Sequence, residues 1–156
     1  MTEQKKIDNA FKVLDTLCTA IDNRGWSFDC DAQELTINFQ VTGEDFPMDF
    51  IITIDVDCQL ISFFSPLPFK MSNKKRIDGA IAVCAASCGL VDGNFIYNIE
   101  DGSIVFKQTS LFINSEIGED LLQYMIENAC SVVDKYNDKF LALSKGFADI
   151  DSFIKH

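Results

Sequence analysis

The chain has one histidine, His156, at its last position, so a serine or cysteine relay that needs an imidazole finds no internal member. No glycine-rich loop of phosphate-cradling spacing occurs. No two cysteines are separated by two residues, which removes the common redox motif. Cys84 and Cys88 are the one short-spaced pair, and a structural zinc site would need a second. No run approaches the ~20 apolar residues of a membrane span. The longest candidate, Ala80 to Val91, is interrupted by Ser87 and Gly89. Basic residues are scarce: 13 Lys and Arg stand against 24 Asp and Glu, for a net charge of −11. Lys74, Lys75 and Arg76 form the longest basic run, so a phosphate backbone meets repulsion and no nucleic-acid partner is expected. The opening MTEQKKIDNAFKV places Asp8 and Asn9 where a secretory signal needs an apolar stretch. A cytoplasmic location is expected, with the six cysteines as thiols.

What is present is apolar material. Of 156 residues, 47% are hydrophobic and 14 are Phe, enough for one domain, residues 1–156, with a full core. At this length about 70% of the unfolded surface can be buried. Asp8 to Asn23 reads as an amphipathic helix with Ile7, Phe11, Leu14, Cys18 and Ile21 on its stripe, stopped by Gly25. An extended stretch, and a possible extra short strand, begins at Trp26, which reads as a core or edge anchor.

From Glu34 the period becomes two. Leu35, Ile37, Phe39 and Val41 share one face, and after a turn at residues 42–45 so do Met48, Phe50, Ile52, Ile54 and Val56. Asp49, Thr53, Asp55 and Asp57 face the other way, the pattern of an antiparallel sheet covered on one side. Leu60 to Phe64 is apolar on both faces, and Pro66 and Pro68 are expected to end that strand. Ser72 is placed to cap a helix from Asn73 to Cys88, with Gly89 as its stop. Asn94 to Ile99 and a strand from Ser103 flank Asp101-Gly102, a two-residue hairpin signal that pairs Ile99 with Ile104 and Tyr97 with Phe106. The longest helix is read from Ser115 to about Lys145, on a stripe of Ile117, Leu121, Met125, Ala129, Val132, Tyr136, Phe140 and Leu143. Gly146 breaks it, and residues 147–154 form a short tail helix. The order is α-β-β-β-α-β-β-α: a two-layer α+β fold whose five- to six-stranded antiparallel sheet carries helices mainly on one face.

Chemical candidates are few. Cys84 and Cys88 share a helical face among Gly79, Ala80, Ala82, Ala85 and Ala86, which reads as close packing rather than a site. Asp45, Asp49, Asp55 and Asp57 could offer oxygens to a hard cation, yet alternating acids on a wet strand usually serve solubility. No catalytic, cofactor-binding or metal residues are assigned.

The hairpin MDFIITIDVDCQLISFF, the helix IDGAIAVCAASCGL, and the block NFIYNIEDGSIVFKQTSLFIN leading into GEDLLQYMIENACSVVDKY resemble the YbjN-like family of proposed bacterial sensory transduction regulators. The resemblance spans about residues 26 to 140 in element order and patterning. It implies the type III secretion chaperone-like fold and a homodimer that binds other proteins without catalysis or cofactor. The function expected is therefore a non-enzymatic, chaperone-like or regulatory protein-binding module. The alternative is a small-ligand sensor with an apolar pocket between helices and sheet; an enzyme using Cys84, Cys88 or the strand acids is the third reading. Candidate interface residues are Leu60, Ile61, Phe63, Phe64, Ala82, Ala85, Ala86, Phe147, Ile150 and Phe153.

Overall fold

The structure is a computed structural model that describes residues 1–154, so His156 lies outside it. The described residues comprise α1 (Glu3–Asp22), β1 (Asp29–Asp31), β2 (Thr36–Thr42), β3 (Pro47–Asp55), β4 (Leu60–Lys70), α2 (Arg76–Cys88), β5 (Asn94–Tyr97), β6 (Ser103–Leu111), α3 (Glu119–Ser144) and α4 (Asp151–Ile154). A 3-10 turn at Asn73–Lys75 precedes α2. The six strands form one antiparallel sheet in the order β1-β2-β3-β4-β6-β5.

Alternation decides which face is dry. Ile37, Phe39, Phe50, Ile52, Ile54, Ile61, Phe63, Ile104, Phe106 and Phe95 lie on one side and are all buried. α1 and α3 cover that side, with Leu14, Leu17 and Ile21 from the first and Leu122, Met125, Val133 and Phe140 from the second. Arg24 fastens the two helices: its Nε donates to Gln123 Oε1 at 2.5 Å and a terminal nitrogen pairs with Glu127 at 2.8 Å. α2 lies beside the outer sheet strand β5, where Ser87 Oγ accepts the Phe95 N–H at 3.0 Å. An otherwise open edge donor is thereby satisfied.

Several boundaries differ from those expected. α1 begins at Glu3 rather than Asp8, because Thr2 Oγ1 accepts the Lys5 N–H at 3.2 Å and caps it. Its buried face centres on Ala10, Leu14, Leu17 and Ile21, which leaves Ile7 and Phe11 on an exposed margin. β4 does not end at Phe64 but runs on through both prolines. Beyond Phe64 it no longer pairs in register with β3, and its ladder with β6 is irregular between Pro66 and Lys70, so the missing donors are not required there. Ser65 Oγ donates instead to the Asp49 carbonyl at 2.8 Å, closing the gap on the β3 side.

Ser72 does not cap α2. Its hydroxyl donates to the Ser144 carbonyl at 2.9 Å, and its N–H reaches Ser144 Oγ at 2.9 Å, so it ties the entry of α2 to the end of α3. The β5–β6 loop is longer than a two-residue turn, with Tyr97 opposite Ile104 and Phe95 opposite Phe106. That register is two residues from the expected one, so the faces are kept while Ile99 is left exposed. α3 starts at Glu119, and Leu122 rather than Leu121 is buried. Of the tail, only Asp151–Ile154 is helical.

Candidate interaction surfaces

Among the described residues, no helix covers the second face of the sheet. Across it, Ile51 on β3 stands beside Phe64 on β4, then Lys107 on β6 and Asn94 on β5. The next row runs Pro66, Val105, Ile96, and a third sets Leu60 beside Leu111. Ile51, Ile96 and Leu111 are exposed, and Leu60, Phe64 and Val105 are half-buried. Strands ~4.8 Å apart make this a patch about 15 Å wide. The Lys107 ammonium lies 5.5 Å from the Phe64 ring centroid, so one cation already rests on the exposed aromatic.

Acids border the patch on the β1 side. Asp29 and Asp31 on β1 and Asp49 and Asp55 on β3 occupy the same face by register. Asp49 accepts from Gln40 Nε2 at 2.7 Å, and Asp55 accepts the Cys58 N–H at 2.7 Å. A shallow groove of about 410 Å³ is lined by Asp29, Asn38, Gln40, Asp49, Ile51 and Pro66. A second, of about 460 Å³, lies across Leu60, Asn94, Ile96, Lys107 and Thr109. This face joins an apolar strip to an acidic margin.

The structure divides the residues expected at an interface. Ile61, Phe63, Ala82, Ala86 and Phe153 are buried against the chain's own elements. Leu60 and Phe64 lie on the open sheet face, half-buried, as are Ala85 and Ile150. Phe147 is 82% exposed, at the rim of a cleft of about 300 Å³ with Phe46, Leu141 and Lys145.

Cys84 and Cys88 are exposed, a correction to the close packing expected of them. The thin face of α2, at Gly79, Ala82, Val83 and Ala86, points inward, and the cysteines point outward on the opposite side. There they continue a stripe with Ile77, 71% exposed, and Ile81, 43% exposed. One signal for the sheet patch is readable in residue order, though alternation alone misses it: Ile51 sits among Asp49, Thr53 and Asp55 on the wet face.

Cys18 on α1 is half-buried, and burial first, with the neighbourhood of Cys30 second, pushes its thiol up to about 11. Burial likewise raises Cys130 on α3 to about 11. Among the described residues, no group of three or more His, Cys, Asp or Glu is placed to hold a metal ion. None of the described helices is long and apolar enough to cross a membrane.

No family model and no curated protein matches the sequence. Among solved structures, the chain is similar to the crystal structure of YbjN, a proposed transcription regulator from E. coli. The two share 15% sequence identity with a TM-score of 0.59, over 81% of this chain and 92% of that one. The fold is YbjN-like.

Proposed function

We propose that the chain is a non-enzymatic, cytoplasmic, chaperone-like or regulatory module that binds a basic amphipathic segment of a partner protein and acts as a homodimer. The uncovered sheet face supports this reading most strongly. Its apolar strip, Ile51, Phe64, Pro66, Val105 and Ile96, offers area to a hydrophobic stripe. Its border of Asp29, Asp31, Asp49 and Asp55 outweighs Lys107 and Lys70, the latter already paired with Asp101 at 3.4 Å, so the complementary ligand is cationic. The fold shared with YbjN suits regulatory use. A small-molecule site under the helices has less support: the cleft between α1 and Ser115–Ile117 holds about 120 Å³, against the several hundred typical of ligand pockets.

A roughly 18-residue amphipathic Leu/Lys peptide is the probe, followed by fluorescence anisotropy and backbone amide shifts. Binding is expected to move amides of β3, β4 and β6 and to weaken as salt rises. Phe64→Asp should weaken it at least about tenfold, since a charge would replace the central aromatic anchor. Equal affinity for a Leu/Glu peptide, or for the Phe64→Asp protein, would count against the proposal.

The α2 stripe supports the homodimer. Ile77, Ile81, Cys84 and Cys88 are spaced symmetrically, so an antiparallel pairing sets each isoleucine against a partner cysteine, large against small. The same pairing brings Lys74 and Lys75 to the negative, carbonyl end of the opposing helix. Light scattering at high micromolar concentration should report a dimer, and Ile81→Asp should raise its dissociation constant at least about tenfold. A monomeric wild-type chain at that concentration would remove the dimer and leave the sheet-face reading standing.

A further inference from the structure

We propose that the cavity between α2, α3 and α4 binds a phosphate-sized dianion, either inorganic phosphate or the phosphoryl end of a small phosphomonoester. The cavity holds about 140 Å³ and is lined by Ala86, Lys135, Tyr136, Lys139, Ser152 and Phe153. Tyr136 is the decisive group. It is only 8% exposed, yet its hydroxyl makes no hydrogen bond to any described residue. A buried phenol ordinarily finds a partner. Asn137 Nδ2 is the one unpartnered side-chain nitrogen or oxygen sealed from solvent among the described residues, so the Tyr136 hydroxyl keeps an opening, which this cavity supplies. Edge-on contact with Phe95 at 5.6 Å and contact with Phe140 at 6.0 Å fix the ring, so the donor is in place before a ligand arrives.

Two cations converge on the same ring. Lys135 and Lys139 are one turn apart on α3, and their ammonium groups lie 5.3 and 5.4 Å from the Tyr136 ring centroid. Lys6, Lys12, Lys70 and Lys75 each pair with a carboxylate, but neither of these two does among the described residues. The acids beside them in sequence are turned elsewhere: Asp134 accepts the Glu44 N–H at 2.9 Å, and Asp138 lines the cleft with Phe46 and Phe147. Among the described residues, no acid lines the cavity. Ser152 Oγ donates to the Asp149 carbonyl at 2.7 Å, which leaves the Tyr136 hydroxyl and the two ammonium groups as the available donors. Two positive charges match a phosphoryl dianion better than a carboxylate. At contact range their attraction outweighs repulsion from a net charge of −11 that is spread over the surface and screened by salt. The volume is below that of pockets for larger ligands, so any ester group must be small or project into solvent.

The site shares no lining residue with the open sheet face or with the outward stripe of α2, so it stands independently of both. The test titrates the full chain, in a phosphate-free buffer near neutral pH and at constant ionic strength, with inorganic phosphate, glycerol phosphate and acetate, and follows backbone amide shifts. Either phosphate should give a saturable shift confined to residues 135–139 and 149–153, with acetate bound at least about tenfold more weakly. Tighter binding of glycerol phosphate would mark an esterified ligand, and equal binding the free ion. Tyr136→Phe keeps the ring and its packing and should weaken phosphate binding about tenfold, because a hydrogen bond to a charged group is lost. Lys135→Gln combined with Lys139→Gln, at two exposed positions, should abolish saturation while leaving Tm within about 2 °C of the parent. Shifts that rise without saturating, acetate bound as tightly as phosphate, or a Tyr136→Phe protein that binds phosphate like the parent would overturn the assignment.

Discussion

Phe140→Ala is expected to lower the unfolding free energy by about 3–5 kcal/mol, the range seen when a fully buried ring is removed from a core that cannot collapse around the gap. Phe140 is completely buried. It meets the Phe95 ring edge-on at 5.1 Å and 79°, stacks on Phe153 at 5.3 Å and 17°, and touches Tyr136 at 6.0 Å. Phe95 in turn packs edge-on against Phe106 and Tyr136. These rings come from β5, β6, α3 and α4, so no single element can move to fill the space without breaking contacts elsewhere. Urea unfolding should show a lower midpoint with an unchanged slope. Phe147→Ala, at a position 82% exposed, should stay within about 0.5 kcal/mol and serves as the control. A loss at Phe140 below about 1.5 kcal/mol would mean that the cluster is loosely packed. The same substitution should free α4, because Phe153 is its only buried residue and rests on the Phe140 ring.

Much of this architecture is legible in residue order because period and burial agree. The alternations through β2 and β3 keep their faces, and register pairs Ile37 with Ile52 and Phe39 with Phe50. The helices are legible for the same reason, though Phe11 and Leu121 show the limit. An apolar stripe wider than the contact leaves its margin in water, and only the neighbouring element decides where that margin falls. Pro66 and Pro68 mislead because the rule against prolines concerns ladder donors. Where β3 has already parted from β4, there is no donor to lose. Ser72 misleads because a cap needs its Oγ turned to accept an N–H of the following turn, whereas its hydroxyl is turned to donate to the Ser144 carbonyl, 72 residues away.

The interaction surfaces are less legible, for a related reason. Cys84 and Cys88 lie in a run so rich in small residues that either side of the helix could be the thin one. Gly79 settles it: an added Cβ would stand 2.7 Å from the Tyr97 hydroxyl and 2.8 Å from Met71, so that side faces inward and the cysteines face out. Ile51 alone carried a readable sign, as an isoleucine on a strand face otherwise made of Asp and Thr.

Gly102→Ala should destabilise the chain by roughly 2–5 kcal/mol, combining a left-handed backbone penalty of about 1–2 with the cost of overpacking. Gly102 has φ +78° and is buried at the end of the β5–β6 loop. A methyl group there would collide with the Met71 carbonyl oxygen and stand 2.7 Å from Arg76 Nε and 2.9 Å from the Met71 nitrogen. Two of these atoms are backbone and cannot swing aside. Met71 N–H donates to the Gly102 carbonyl at 2.8 Å, and Arg76 Nε donates to the Met71 carbonyl at 2.8 Å. Relief of the clash must therefore loosen the junction that seats α2 on the β5–β6 hairpin. Arg76 also donates to the Glu100 carbonyl, and the Tyr97 hydroxyl donates to the Arg76 carbonyl at 2.7 Å, so the disturbance reaches the start of α2. Gly25→Ala separates the two contributions, because Gly25 has φ +71° but nothing within 4 Å of the added carbon. It should cost only the backbone share, about 1–2 kcal/mol. Equal losses at the two glycines would show that the Met71 contact yields freely, and the hairpin would then not fix α2.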